Sequence, residues 1–242
     1  MMGVVNLIKD ILIILIVYIP PLVLFFKLSY KHINKFIIFL ISFVYILVSV
    51  LFTQNFIPFI FTIIDILYLK KNKDILPELY SYDYYNYGFN LKRFKVLKGL
   101  KYSVYSYIGM IIVSAIFGTI FYLMKFNLKE QEIVNIMSKM PAYQFLIMIP
   151  VVVIFAPIVE EFVFRWFISE KLLKNRLGNI LGMIFSSILF GLIHYNLRAF
   201  PVLVWIGLFN CYLIKKEGYW YAVFNHSVFN LINAIVMFVG KI

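Results

Sequence analysis

Long runs of apolar residues recur along the chain, and they restrict its fold more than any other feature of the sequence. Hydrophobic residues make up 63% of the 242 residues, well above the ~45–50% of ordinary soluble domains. Because an α-helix needs about 20 apolar residues to cross a bilayer core, the sequence predicts an all-α, polytopic transmembrane helical bundle of about eight spans. The predicted spans are 8–27, 35–53, 55–69, 102–124, 143–172, 179–196, 199–214 and 219–239.

Two of these segments have a second interpretation. Residues 55–69 are short for a span and could instead continue the second helix around Pro58. The first apolar run, 11–26, could be a signal peptide, but it lacks a small-residue cleavage site and is followed by Lys27 and Lys31. We therefore expect it to be retained as a transmembrane helix.

Lysine and arginine are distributed unequally between the two sides of the predicted bundle. With eight spans, 17 of the 23 basic residues fall on one side and 6 on the other. Basic residues concentrate in cytoplasmic loops, so the richer side is predicted to be cytoplasmic and both termini outside. These lysines and their contacts with anionic lipids account for the net charge of +12, and we expect no nucleic-acid partner. Residue usage typical of AT-rich codons adds the expectation of a multi-pass protein in a bacterial plasma membrane.

The predicted spans divide into two regions. Residues 1–142 hold N-terminal transmembrane helices and one sizeable polar loop, 70–101. The aromatic and basic residues of this cytoplasmic loop favour a position among the lipid headgroups. Residues 143–242 hold the last four predicted spans. The single cysteine, Cys211, excludes a disulfide framework and a thiolate metal site.

The stretch VEEFVFRW, residues 159–166, places three charged side chains inside an apolar run. Glu161 and Arg165 are four residues apart, so they lie on one helix face and are predicted to form a structural ion pair. Glu160 is rotated by about 100° from Glu161 and cannot share Arg165 equally well. Because charges at bilayer depth are costly, the less well paired Glu160 becomes the candidate general base.

Two histidines and an asparagine stand in the spans that follow. A rise of about 1.5 Å per residue places Glu160, His194 and His226 roughly 21, 24 and 11 Å from the predicted cytoplasmic surface. Asn230 lies four residues after His226 on the same face. Such side chains on three helices can meet only by facing one another, so we expect one shared polar site. Taken singly, the Glu161–Arg165 pair, His194 or Asn230 would be explained by helix–helix packing.

Small residues recur every four positions at the start of the sixth span: Gly178, Gly182 and Ser186. Such spacing lets helices approach closely. It predicts that the sixth span packs tightly against a neighbour. Packing against the fifth span would bring His194 towards Glu160.

Three motifs resemble those of the CAAX protease and bacteriocin-processing family of intramembrane proteases, also called the Abi family. They are EExxxR at Glu160, Glu161 and Arg165, FxxxH at Phe190 and His194, and HxxxN at His226 and Asn230. Their order and spacing agree with the family over roughly residues 143–239. The resemblance implies that residues 143–242, with the last four spans, form the catalytic core.

The resemblance implies a role for each motif position. Glu160 is expected to activate a water molecule, and His194 to help hold or deprotonate it. The family's pattern gives His226 and Asn230 the task of stabilising the oxyanion of the tetrahedral intermediate. Glu161 and Arg165 are expected to fix the helix and orient Glu160.

The resemblance leaves the cofactor open. A metal-free glutamate mechanism is favoured, as in the eukaryotic prenyl-protein endopeptidases of the family, and no cofactor is then required. The alternative is a metalloprotease in which Glu160, His194 and His226 bind zinc with an open fourth position. No HExxH motif is present in the sequence.

The predicted function is therefore that of an intramembrane endopeptidase acting on membrane-associated peptides or proteins, in bacteriocin or signalling-peptide processing or in self-immunity. The alternative is a non-proteolytic membrane scaffold or regulator of partner membrane proteins. A transporter is disfavoured, because the sequence lacks pseudo-symmetric halves and paired broken helices. The bilayer and the substrate are the expected partners, and the sequence predicts no oligomeric state.

Overall fold

The structure is a computed structural model and describes residues 2–30, 33–51, 56–71 and 89–240. Within these ranges the chain forms nine helices and no strand. Three short helices are α2 (Lys35–Leu51), α3 (Ile57–Lys71) and α5 (Glu132–Lys139), and α4 is long (Val96–Leu123). The last three are α7 (Asn179–Leu192), α8 (Phe200–Glu217) and α9 (Tyr219–Val239).

Helices α1 and α6 are continuous but contain π-helical stretches. Helix α1 consists of Met2–Ile13, the π-helical Ile14–Tyr18, and Ile19–Ser29. Helix α6 consists of Ala142–Pro150, the π-helical Val151–Phe155, Ala156–Glu160, the π-helical Glu161–Leu173, and Lys174–Leu177.

Four of the described helices are long and apolar enough to cross a membrane: Leu7–Ser29 in α1, the whole of α4, Ala142–Leu177 in α6, and α9. Helices α2 and α7 are apolar but shorter. The predicted all-α, polytopic helical fold is confirmed. The number of eight spans stays a prediction.

Several predicted boundaries differ from the structure. Helix α4 begins at Val96 rather than at 102, so the end of the predicted 70–101 loop is helical. Phe89, also assigned to that loop, is buried against the rings of Phe162, Trp166 and Tyr219 and not among headgroups. Residues 72–88 of the loop lie outside the described residues. Tertiary packing of the aromatic side chains outweighs the local polar composition at this end of the loop.

The predicted sixth span is also shorter than expected. Helix α7 ends at Leu192, so His194 lies in the turn between α7 and α8 and not within a helix. Gly178 forms the sharp turn between α6 and α7, where its positive φ of 79° favours glycine. Gly182 and Ser186 do face α6: a Cβ at Gly182 would lie 3.3 Å from the Ser169 carbonyl oxygen.

Helix α6 occupies the centre of the bundle, where it contacts α1, α3, α7, α8 and α9. Phe162 and Phe164 of α6 are fully buried, as are Phe190 of α7 and Leu213 of α8. They form one core with parts of α1, α3 and α9. The charged stretch of α6 is therefore enclosed by protein, which removes it from lipid.

Each π-helical stretch receives a hydrogen bond from a side chain of another helix. Tyr45 donates to the carbonyl of Tyr18 at 2.7 Å, and Asn230 donates to that of Val152 at 2.7 Å. Ser186 donates to the carbonyl of Phe164. Departures from α-helical geometry weaken the regular backbone pairing, and membrane helices need the affected groups satisfied internally. These three side chains supply such bonds.

Candidate active site

Glu161 is the centre of a buried polar cluster between α6, α8 and α9. Its side chain has no solvent exposure, and Arg165 Nε lies 3.1 Å from its Oε2. Its Oε1 accepts from Asn210 Nδ2 at 3.0 Å and contacts His226 Nδ1 at 2.9 Å. The structure thus contains the Glu161–Arg165 ion pair and gives Glu161 two further partners.

Arg165 is enclosed by aromatic rings and by its carboxylate partner. Its side chain is 1% exposed, and Cζ lies 4.5 Å from the centroid of the Phe190 ring. A guanidinium over an aromatic face gains cation–π attraction, more so when it is desolvated. Phe190 therefore helps to stabilise the buried cation.

His226 lies between the two glutamates. Nδ1 is 2.9 Å from Glu161 Oε1, while Nε2 is 3.6 Å from Glu160 Oε2. A carboxylate paired with arginine can only accept a hydrogen bond, so Nδ1 carries a proton and Nε2 is directed to Glu160. Glu161 thereby fixes the His226 ring, whose other nitrogen faces Glu160.

Glu160 differs from Glu161 in its surroundings. Its side chain is 20% exposed, whereas that of Glu161 is not exposed at all. The distance of 3.6 Å to His226 is too long for a direct hydrogen bond. Glu160 is thus accessible and close to a histidine that is itself held in place.

His194 reaches the same region from the turn after α7. Its Nδ1 is 2.7 Å from the Phe190 carbonyl oxygen, and its ring packs edge-on against Phe190 at 4.8 Å between centroids. The Phe190 ring also contacts that of His226 at 5.7 Å. The FxxxH motif therefore sets Phe190 beside both histidines.

Asn230 lies one turn beyond His226 on α9, and its amide donates to the backbone carbonyl of Val152. This bond ties it to the first π-helical stretch of α6, two turns before the glutamates. The structure thus brings Glu160, Glu161, Arg165 and His226 together directly, places His194 next to them through Phe190, and leaves Asn230 at the edge.

The segment that contributes the two glutamates, His194, His226 and Asn230 also has a recognisable family. Residues 142–232 match the family model described as Type II CAAX prenyl endopeptidase Rce1-like. This segment of the chain is similar to the Rce1-like family. The resemblance seen in the three motifs is confirmed, and the family implies a membrane peptidase. No curated protein and no solved structure matches the chain.

The Rce1-like segment includes a polar residue of the site that the motifs do not contain. Asn210, fully buried on α8, donates to Glu161. Asn225 on α9 donates to Asn210 Oδ1 at 2.8 Å and to Ser106 Oγ on α4 at 3.2 Å. Asn210 is an amide inside an apolar span, a signal that could have identified it from the sequence.

The residues of the Rce1-like site meet only some of the requirements of a metal centre. Both histidines have the backing acceptors that metal-binding histidines usually have, since each Nδ1 contacts an oxygen. In the described part of the chain, however, no three His, Cys, Asp or Glu side chains converge as a metal site needs. The geometry of these described residues does not fit the zinc alternative, and the metal-free mechanism stays a prediction.

Proposed function

We propose that the protein is an intramembrane endopeptidase in which Glu160 activates a water molecule for attack on a peptide bond. The contrast between two adjacent carboxylates supports this proposal most strongly. Glu161 is buried and bound by arginine, histidine and asparagine, whereas Glu160 is partly exposed and faces only the Nε2 atom of His226 among these groups. A general base must be accessible to the proton that it takes.

The proposed reaction uses Glu160 twice. Its carboxylate takes a proton from water as the oxygen attacks the carbonyl carbon of the substrate, and a tetrahedral oxyanion forms. The same carboxyl group then passes the proton to the departing amine, and the carbon–nitrogen bond breaks. No group other than water is consumed.

His226 is proposed to stabilise the oxyanion. Nδ1–H of His226 donates a hydrogen bond to Glu161, which holds the ring, so a protonated Nε2 would be preorganised towards developing negative charge. Asn230 has a second amide hydrogen besides the one given to Val152, and we propose that it is the other donor. Glu161, Arg165 and Asn210 act as positioning residues.

His194 is proposed to hold the attacking water. A backbone carbonyl can only accept, so the contact with Phe190 places the proton of a neutral His194 on Nδ1. Its Nε2 is then an acceptor for water. Glu160 and His194 would bind the same water from two sides.

The proposed substrates are membrane-associated peptides or proteins, with bacteriocin or signalling-peptide processing or self-immunity as the role. The family description and the apolar helices support a substrate presented at the membrane.

Replacement of Glu160 by glutamine tests the proposal. Glutamine keeps the shape of the side chain but cannot take the proton, so cleavage should fall by at least about 100-fold. Wild type and Glu160→Gln are expressed at equal levels, and new N-termini of membrane proteins are quantified by mass spectrometry. Glu132→Gln is the matched control, because Glu132 is largely exposed and lies 3.9 Å from Lys9.

We expect new N-termini with wild type and Glu132→Gln, and none with Glu160→Gln. Equal cleavage by all three proteins would remove Glu160 from the mechanism. If none of them produces new N-termini, the non-proteolytic regulator becomes the better explanation. A zinc chelator added to active membranes should leave cleavage unchanged; loss restored by zinc would favour the metalloprotease.

A further inference from the structure

Buried side-chain oxygens without a hydrogen bond concentrate on α2 and α3, two short helices that precede the Rce1-like segment. The residues concerned are Ser42 and Ser49 of α2 and Thr62 and Asp65 of α3, and their side-chain oxygens have no partner in the described part of the chain. For Asp65 this holds for both carboxylate oxygens. Buried polar groups in proteins are nearly always hydrogen-bonded, so these atoms require an explanation.

Asp65 is enclosed by protein rather than by lipid. Neither Asp65 nor Thr62 has any exposed surface. Ile66 and Leu69 extend the same buried face of α3 and belong to one core cluster with Leu24 of α1. Burial of a carboxylate among apolar side chains is costly unless a positive charge accompanies it. The position therefore favours a ligand that neutralises the carboxylate.

The face of α3 that carries Asp65 lies where three helices meet. Thr62 and Asp65 are three residues apart, so they share one side of the helix, with Cβ atoms about 5–6 Å apart. Phe61, one turn before Asp65, packs against the rings of Phe25 of α1 and Tyr45 of α2, with centroid distances of 4.8 and 4.7 Å. The oxygens of α3 are therefore close to both other helices.

Helix α2 brings further oxygen atoms to this junction. The Tyr45 hydroxyl donates to a backbone carbonyl of α1 at 2.7 Å, and its oxygen keeps lone pairs for another contact. A short connection joins α2 to α3, and helices joined in this way run antiparallel. With Tyr45 beside Phe61, we expect Ser42 to lie level with Asp65, and Ser49 to lie at the other end of the contact.

We propose that Asp65 and Thr62 bind one monovalent metal cation, sodium or potassium, between α1, α2 and α3, with Ser42 and the Tyr45 hydroxyl as further oxygen ligands. Carboxylate, hydroxyl and carbonyl oxygens are the ligands that hard cations prefer. One carboxylate balances one positive charge. A divalent ion would leave an uncompensated charge in a buried site, and such ions are usually held by more than one carboxylate.

A metal cation explains more of these oxygens than a proton does. A hydroxyl beside a carboxylate ordinarily donates to it, but neither Thr62 nor Ser42 has such a bond among the described residues. A proton on Asp65 would remove its charge and leave both hydroxyl oxygens as they are. A cation is bound by all of them, because every ligand offers it a lone pair. Lys70 and Lys71 of the same helix are exposed.

The proposed cation site does not rest on the proposed peptidase. Asp65 lies outside residues 142–232, which match the family model. Helix α3 does contact the stretch Ala156–Glu160 of α6, and Phe59 packs against Phe155 at 4.5 Å between ring centroids. A bound cation should therefore stabilise the packing of the first three helices against α6. Its binding can be measured whether or not the protein cleaves peptides.

Thermal unfolding of the purified full-length protein in detergent tests the proposal. Chlorides of sodium, potassium and choline are compared at equal ionic strength. A ligand that binds only the folded state raises the midpoint, by about 5–10 °C at 100 times its Kd for a chain of this size. We expect this rise with sodium or potassium and not with choline, and the larger rise identifies the ion. Equal midpoints in all three salts would overturn the proposal.

Two carboxylate variants show whether Asp65 is the ligand. Asp65→Asn should abolish the rise in midpoint, because the amide carries no charge to balance the cation. Asp10→Asn is the matched control, since it removes the same charge from a partly exposed position on α1 and should keep the full rise. An unchanged rise in Asp65→Asn would show that the cation binds elsewhere.

Two serine variants locate the site along α2. Ser42→Ala should weaken cation binding roughly 10-fold, because one ligand oxygen is lost. Ser49→Ala makes the same change at a buried serine two turns away and should leave the affinity unchanged. A larger loss in Ser49→Ala than in Ser42→Ala would contradict the proposed set of ligands.

Infrared spectroscopy of the wild-type protein distinguishes a metal cation from a proton. The carbonyl stretch of a protonated carboxyl group should be present in choline chloride and should disappear when the cation binds. A band that persists in saturating sodium and potassium would show that Asp65 holds a proton, which would overturn the proposal. This measurement uses wild type alone, so it decides the question even where Asp65→Asn does not fold.

Discussion

Glu160 and Glu161 are adjacent in the chain, but their carboxylates have different partners and different exposure. Glu161 is bound by Arg165, Asn210 and His226 in a site without solvent exposure. Removing one partner of a buried pair is costly, since the other charge is then left unsatisfied. The two residues should therefore respond differently to the same substitution.

Glu161→Gln is expected to destabilise the fold by about 3–5 kcal/mol, because Arg165 would be left as a buried unpaired cation. Glu160→Gln should change stability by less than about 1 kcal/mol, since Glu160 makes no comparable pair. Thermal unfolding of both variants in the same micelles measures the difference. Equal stability of the two proteins would contradict the structural role assigned to Glu161.

The sequence was sufficient for the Glu161–Arg165 pair, because an i,i+4 spacing on a helix fixes which side chains can meet. It was not sufficient for the contacts of Glu161 with His226 and Asn210. Those depend on how α8 and α9 are rotated about their own axes, which follows from packing across the whole bundle. The hydrogen bond of Asn230 to Val152 was also missed, because it depends on the π-helical stretch of α6.

At the level of helices, small residues determine how closely α7 approaches α6 and α8. Gly207 of α8 faces Ser187 of α7, and a Cβ at Gly207 would lie 2.8 Å from Ser187 Cβ. Ser187 is fully buried, so it cannot turn away into solvent. The α7–α8 contact positions the turn that carries His194.

Gly207→Ala should cost about 1–3 kcal/mol, because the two helices would have to separate. Gly118→Ala is the control: it places the same methyl group on α4 with no atom within 4 Å. Adding Ser187→Gly to Gly207→Ala should recover part of the loss, as expected for residues in contact. Unfolding of five proteins is compared: wild type, Gly207→Ala, Ser187→Gly, the double variant and Gly118→Ala. A destabilised Gly118→Ala, or a double variant whose loss is the sum of the two single losses, would argue against this contact.

The spacing of Gly182 and Ser186 predicted close packing against α6, and the structure places both residues there. The end of α7 could not be predicted, because the apolar sequence continues through Ile193 after the helix stops. Tyr195, with a positive φ of 48°, reverses the chain in this turn. The pattern of apolar residues alone does not indicate where the chain reverses its direction.

Across the whole molecule, groups predicted to share one side of the membrane do contact one another. Lys98 pairs with Glu217 at 2.5 Å on the predicted cytoplasmic side. On the other side, Asn196 donates to the Lys129 carbonyl at 3.0 Å, and Lys9 lies 5.5 Å from the centroid of the Tyr195 ring. These contacts agree with the predicted assignment of the loops to two sides, on which the distribution of lysine and arginine was based.

Cysteine labelling tests the orientation itself. Cys211 is 2% exposed, so the wild-type protein should react little with a maleimide that cannot cross membranes. Lys129→Cys should be labelled on intact cells, and Lys216→Cys only after permeabilisation, since both positions are exposed on opposite predicted sides. Labelling of Lys216→Cys on intact cells would reverse the assignment.

The π-helical stretch Glu161–Leu173 starts at the second glutamate and contains Trp166 and Lys171, which line a cavity between α1 and α6. The number of residues in this stretch determines the direction in which the later side chains of α6 point, relative to Glu160 and Glu161. Deleting one residue there would let the stretch tighten and would turn the downstream face by about 100°. A chain with one residue fewer in that stretch would accordingly keep Glu160 and Glu161 in place but would turn other side chains of α6 towards α1.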